Sequence, residues 1–184
     1  VQTGLTSFQL RAAMLHLLAG GLMIALKSWV SIFFRDYFDV RLRTGGGLET
    51  RIVERPGKWM AEGELQRLSA DLRTIASRTL PSGSLDYGVF SGDRTRLEHS
   101  IITLVYQRAD KKPIAFNALA IMDLKLAQRP QEVMHLGLVM VDPDVRSRGL
   151  SWILYGLTCF LMFLRNQLRP LWVSNVTQVP AVVG

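Results

Sequence analysis

Thiols and soft metal ligands are scarce in this 184-residue chain, which holds one cysteine, Cys159, and three histidines. A single thiol excludes an internal disulfide framework and every thiolate-only metal centre. No His, Cys and Asp set has ligand spacing, so no metal is expected. There is no internal repeat, and 48% hydrophobic against 20% charged residues excludes a disordered or low-complexity protein. Acidic side chains are the scarcer sign of charge. Fifteen Asp+Glu against 22 Lys+Arg leave a formal +7, and the pI is about 10.1. The excess predicts an acidic partner: nucleic acid, anionic lipid, an acidic carrier protein or a phosphorylated cofactor. Nucleic acid is the weakest of these, because the arginines are dispersed and no recognised binding motif appears.

Charge is rarest between Ala12 and Phe34, where Lys27 is the only formally charged side chain. A helix of that length covers roughly 30 Å at about 1.5 Å per residue, enough to cross a bilayer. Lys27 and the Gly20-Gly21 pair oppose a span. Three readings stay open: a helix buried in the protein or at an oligomer interface, a membrane span, and a signal-like or interfacial segment. If it spans, Arg35, Arg41 and Arg43 outnumber Arg11 and place the rest in the cytoplasm. Thr44-Gly45-Gly46-Gly47 lacks the Lys-Ser/Thr of a phosphate-cradling loop and reads as a linker or turn. The expected organisation is a hydrophobic helical segment over 1–44 and a folded domain over 45–184.

Within that domain Leu48 to Arg55 alternates as a strand that Pro56-Gly57 ends. Leu65, Leu68, Leu72, Ile75 and Ala76 form one apolar face of a helix over Met60 to Ser77, closed by Pro81-Ser82-Gly83. Ser100 to Gln107 and Pro113 to Leu124 flank a polar turn and predict a hairpin. Glu132 to Val141 is a further strand, Ser151 to Gln167 a helix, and Leu171 to Val176 the last strand candidate. This order predicts a mixed α/β (α+β) fold. Trp152 to Leu164 contains no charged residue and is apolar nearly all round, so it calls for a second cover. Ala12 to Phe34 is the candidate for that cover within the chain.

The informative segment runs from Val139 into the helix. A strand enters a short loop bearing Arg146, Arg148 and Gly149. The unpaired amides at the helix start, its dipole and the glycine then make an anion seat. A pyrophosphate there is held by the amides of about Arg148 to Ser151, with the guanidinium groups adding charge.

Arg146-Ser147-Arg148-Gly149-Leu150-Ser151 after a hydrophobic strand resembles the coenzyme A signature of the GNAT superfamily of N-acetyltransferases, Gln/Arg-x-x-Gly-x-Gly/Ala. Val141-Asp142-Pro143, the helix that follows and the upstream hairpin match that family over Leu48 to Gly184. Ser151 departs from the expected Gly or Ala. The resemblance implies a mostly antiparallel sheet flanked by helices, here with an extra hydrophobic N-terminal helix. It also implies acyl transfer from acetyl-CoA or another acyl-CoA to an amine by direct attack.

By family position the thioester carbonyl faces the backbone of Val139, Met140 and Val141. Asn175 follows the fifth strand of the family and touches the cofactor there. Leu150 and Ser147 fall inside the signature. Gly137 could mark a bulge that opens the strand edge. For the base, Glu132 and His135 lie on one strand three residues apart, so alternation sends them to opposite faces unless a bulge intervenes. An acyl carrier protein as donor, and a GNAT-like membrane-associated or oligomerising module without turnover, are the alternatives. Cysteine usage permits a cytoplasmic location, with membrane contact through the N-terminal helix.

Overall fold

The computed structural model describes residues 36–80, 88–146 and 149–175. Six strands form one sheet in the order β1-β2-β3-β4-β5-β6: Asp39–Gly45, Leu48–Glu54, Ser100–Gln107, Pro113–Leu126, Arg129–Val141 and Trp172–Asn175. Neighbours are antiparallel except β5 and β6, which are parallel. This is the mixed, mostly antiparallel α/β (α+β) sheet that the sequence predicts.

The glycine triplet, read as a break, is the turn of the β1–β2 hairpin. Gly45, Gly46 and Gly47 have φ of +84°, +54° and +72°, a left-handed run that suits glycine. The strand before them belongs to the sheet, and the compact unit containing it begins at Tyr37 rather than after Thr44. Of the helical segment expected over 1–44, residues 1–35 lie outside the described residues. β5 also starts earlier than its apolar run suggests. Ala127 and Gln128, at φ +48° and +63°, make a two-residue turn without the usual Asn-Gly pair.

A short helix, α1 (Pro56–Trp59), follows β2 in place of a plain stop, and α2 (Glu62–Thr79) follows it. Leu65, Leu68, Leu72, Ile75 and Ala76 are fully buried, as their spacing predicts, and pack on Ile102, Leu104, Phe116 and Met140 of the sheet. Burial of each such leucine contributes about 1.5–3 kcal/mol. α3 (Arg94–Leu97) leads into β3.

The opposite face of the sheet is covered by a π-helical turn, Trp152–Leu157, that continues into α4 (Thr158–Arg165). Leu150, Ile153 and Leu154 pack there against Val105, Ile114 and Ala115. Trp152 and Phe160 stay 65% and 47% exposed, so part of this apolar surface faces outward. The cover expected for it, Ala12 to Phe34, lies outside the described residues. No helix among the described residues is long and apolar enough to cross a membrane.

Glu54, at the end of β2, is buried beneath α4, where Arg165 Nε lies 3.4 Å from its carboxylate. Burial raises its pKa above the usual carboxylate range, against the pull of Arg165 and Arg55. A raised folded-state pKa means that the folded form loses stability relative to the unfolded chain as pH climbs from about 4.3 through the higher value. Glu54→Gln is therefore expected to gain stability on the wild type between pH 4 and pH 7. Urea midpoints at the two pH values check this; a variant that loses ground at pH 7 contradicts it.

Candidate functional site

The site is built on an interruption in β5. Ala120 pairs with His135 and Ala118 with Leu138, so Leu136 and Gly137 together oppose Leu119 alone, which is a β-bulge. A Cβ at Gly137 would sit 2.5 Å from the Ala118 carbonyl oxygen, so glycine is required. The extra residue swaps the faces of the strand. Before it, Met134 faces α4; after it, Leu138 and Met140 pack into the α2 core, and Val141 packs with Leu150 and Leu154.

The phase of the β4–β5 ladder is fixed by Asp142, whose amide donates to the Ile114 carbonyl at 2.8 Å. Alternation then turns the N–H and C=O of Met140 toward β4 and those of Val139 and Val141 outward. β6 pairs with β5 only from Val133 to Leu136, so among the described residues no strand covers the outer edge beyond the bulge. Among the described residues the outward backbone groups of Val139 and Val141 therefore have no strand partner, and Val139 is 37% exposed. Met140, expected to share this role, does not, because its backbone bonds inward and its side chain is core. Asn175 is exposed and pairs in register with Leu136, next to the bulge.

Beyond β5 the chain makes one 3-10 turn, Pro143–Val145. Asp142 anchors it. Its buried carboxylate accepts from the Asp144 amide at 3.1 Å, pairs with Arg78 of α2, and has Lys112 Nζ at 3.5 Å. Arg78 also bonds Asp144 at 2.7 Å. The loop is thereby fastened to both the sheet and α2.

Arg146 is exposed, and its guanidinium makes no hydrogen bond or ion pair among the described residues. Ser147 and Arg148 lie outside the described residues. Gly149 has φ +68° and open space where a Cβ would stand. The amides of Gly149, Leu150 and Ser151 find no acceptor among the described residues. Ser151 is already helical, at φ −58° and ψ −37°, and its hydroxyl caps nothing. Leu150 contributes its amide to the seat and its buried side chain to the core.

The two candidate bases part as alternation requires, since the bulge lies after both of them. Glu132 faces α4, lines a cavity of about 260 Å³ with Glu54, Met134, Met162 and Arg165, and is ion-paired with Arg55. His135 faces the other way, immediately before the bulge. Its Nδ1 lies 3.0 Å from Ser174 Oγ on β6, which leaves Nε2 for another partner. No His, Cys, Asp and Glu group among the described residues could hold a metal ion. Sequence reasoning missed Asp142 as the loop anchor, although the Asp-Pro pair before the arginines was a turn signal.

Gly137→Ala is expected to cost about 1–3 kcal/mol of stability by forcing the Cβ against the Ala118 carbonyl. Chemical denaturation checks this, and wild-type stability would show that the bulge is not held by that contact.

No protein-family model matches the chain, and no curated sequence does. Solved structures match its fold. AAC(6')-Iy in complex with the bisubstrate analogue CoA-S-monomethyl-acetylneamine aligns at 15% identity over 74% of this chain and 83% of that one, with a TM-score of 0.51. The same aminoglycoside N-acetyltransferase in complex with CoA aligns at 14% identity over 77% and 84%, again at 0.51. A Trypanosoma brucei acetyltransferase aligns at 16% identity over 74% and 87%, at 0.47. The bulged strand, the Pro143–Val145 turn and the helix start stand within a mixed six-stranded sheet flanked by helices, a GNAT-like fold shared with AAC(6')-Iy.

Proposed function

We propose that the protein transfers an acetyl or longer acyl group from a coenzyme A thioester to an amine by direct attack. The observation that carries this reading is the coincidence of two sets of backbone donors that find no acceptor among the described residues. Val139 and Val141 turn theirs outward on the strand that enters the Pro143–Val145 turn, and Gly149, Leu150 and Ser151 supply theirs at the start of the helix that follows. Magnitudes say why both are needed. A helix start is worth about 1–2 kcal/mol to an anion at best, whereas a micromolar ligand needs about 8 kcal/mol. An extended arm bonded along the strand edge, with Arg146 beside the phosphates, supplies the remainder. The solved structures of AAC(6')-Iy, which share this fold, hold CoA or a CoA conjugate.

In this reading the pantetheine arm runs along the open edge of β5, and an outward amide polarises the thioester carbonyl. The seat at Gly149 takes the pyrophosphate, which coenzyme A carries and the pantetheine arm of an acyl carrier protein lacks, so the donor we favour is free coenzyme A thioester. Because the bulge swaps faces, Val139 and Val141 face α4 while His135 faces the α2 side. Donor and amine then meet at the edge from opposite sides of the sheet. His135, oriented by Ser174, removes the proton from the attacking ammonium. The C–N bond forms, the C–S bond breaks, and the departing thiolate takes up a proton. Glu132 is committed to Arg55 and takes no part. A coenzyme A substrate and the free thiol of Cys159 fit the cytoplasm.

Coenzyme A is expected to raise the Tm, and Arg146→Glu to abolish the shift. A wild-type protein that coenzyme A does not stabilise contradicts the reading. Once an amine acceptor is in hand, His135→Ala is expected to lower kcat by about 10²–10⁴-fold with the donor KM unchanged. Steady-state kinetics check this, and an unaltered kcat removes His135 as the base.

A further inference from the structure

In the π-helical turn Trp152–Leu157, amides reach back one residue further than in an α-helix, so the turn holds one residue more than a regular helix would. Its Leu154 carbonyl is met by two side chains. It accepts from the Asn117 side-chain amide of β4 and from the Thr158 hydroxyl at 2.8 Å. With that hydroxyl donating to Leu154, the 2.6 Å contact between Thr158 and Thr103 of β3 has Thr103 as donor. Asn117, Thr103 and Thr158 are all fully buried. In the sheet Asn117 stands in register between Thr103 on one side and Val139 on the other. One side chain therefore ties β4, the strand paired with β5 at Val139, to the helix that carries the anion seat.

Stability alone does not call for an amide here. The Oδ1 of Asn117 is buried without a hydrogen bond among the described residues, and an unsatisfied buried acceptor is costly. A leucine of similar shape would remove that cost at the loss of one neutral hydrogen bond. What it would also remove is the tether on the Leu154 carbonyl. Relaxation of the π turn into regular α-helix would displace everything before it by one residue, about 100° and 1.5 Å. Gly149, Leu150 and Ser151 would turn away from the edge at Val139.

We propose that Asn117 is a positioning residue for the acyl donor: it holds the π turn, and through it sets the helix start against the open edge of β5. This rests on the donor reading given above. The test uses the full chain with Asn117→Leu, Thr103→Val and Thr103→Ser, read by calorimetric titration with coenzyme A, by Tm, and by amide hydrogen exchange. Asn117→Leu is expected to keep or raise the Tm, to weaken coenzyme A binding at least tenfold, and to speed exchange over residues 150–158 but not in α2. Thr103→Val is expected to weaken binding in the same sense, and Thr103→Ser to restore it. Wild-type affinity and unchanged exchange in Asn117→Leu overturn the proposal. If Asn117→Leu does not fold, the Thr103 pair decides: loss in Val with recovery in Ser supports it, and equal affinities overturn it. A wild type that binds no coenzyme A defeats the donor reading instead. In that event exchange over 150–158 still decides whether Asn117 holds the turn: acceleration in the leucine variant supports it, and none overturns it.

Discussion

The approach of Gly137 to the carbonyl of Ala118 is the constraint on which the site depends. Any side-chain carbon at this position would lie 2.5 Å from that oxygen, so only glycine is admitted. With glycine there, two residues of β5 can stand opposite one of β4. From that single insertion two things follow. Side chains exchange faces, so His135 lies on the α2 side while Val139 and Val141 lie on the α4 side. And the backbone groups turned away from β4 beyond the bulge are those of Val139 and Val141, which no strand pairs among the described residues.

The rest of the architecture keeps that segment in place. α2 holds it from one side through Leu138 and Met140, and through the Arg78 contact to Asp142 it also fixes the turn that follows. An ion pair between a buried carboxylate and an exposed guanidinium is weak evidence of net stability, since desolvation of the carboxylate consumes part of the attraction and solvent screens the arginine. Its effect is geometric: the strand end, the turn and the helix start keep one arrangement. From the other side, Thr103, Asn117 and Thr158 place a polar network in an otherwise apolar layer, where each group must be matched or carry a penalty. Both faces of the sheet therefore contribute to the position of five backbone amides.

Much of this was legible in the sequence because it is local. The leucine stripe of α2 has the helical period, the β3–β4 hairpin has β-branched strands around a polar turn, and Arg146 to Ser151 is a contiguous pattern. Gly137 stood out because glycine is unusual within a strand. What escaped was either short or distant. β1 is seven residues with arginines on its outer face, so its Val40 and Leu42 gave too little signal, and the three glycines after it looked like a break. The Ala127-Gln128 turn carries no glycine. The π turn cannot be read from Trp152 to Leu164, because a segment apolar on all sides shows no polar face from which to measure its register. Arg78, which pairs with Asp142, and Asn117, which bonds Leu154, lie more than thirty residues from them and become visible only when the sheet is assembled.

On this proposal the edge at Val139 and Val141 and the helix start at Gly149 to Ser151 receive one ligand together. Isotopically labelled protein titrated with coenzyme A and followed by its amide resonances distinguishes the outcomes. The five amides are expected to shift along a common saturation curve while those around Glu54 and Glu132 stay in place. Shifts confined to the cavity at Glu54 and Glu132, or movement of the helix start without the strand edge, would contradict it.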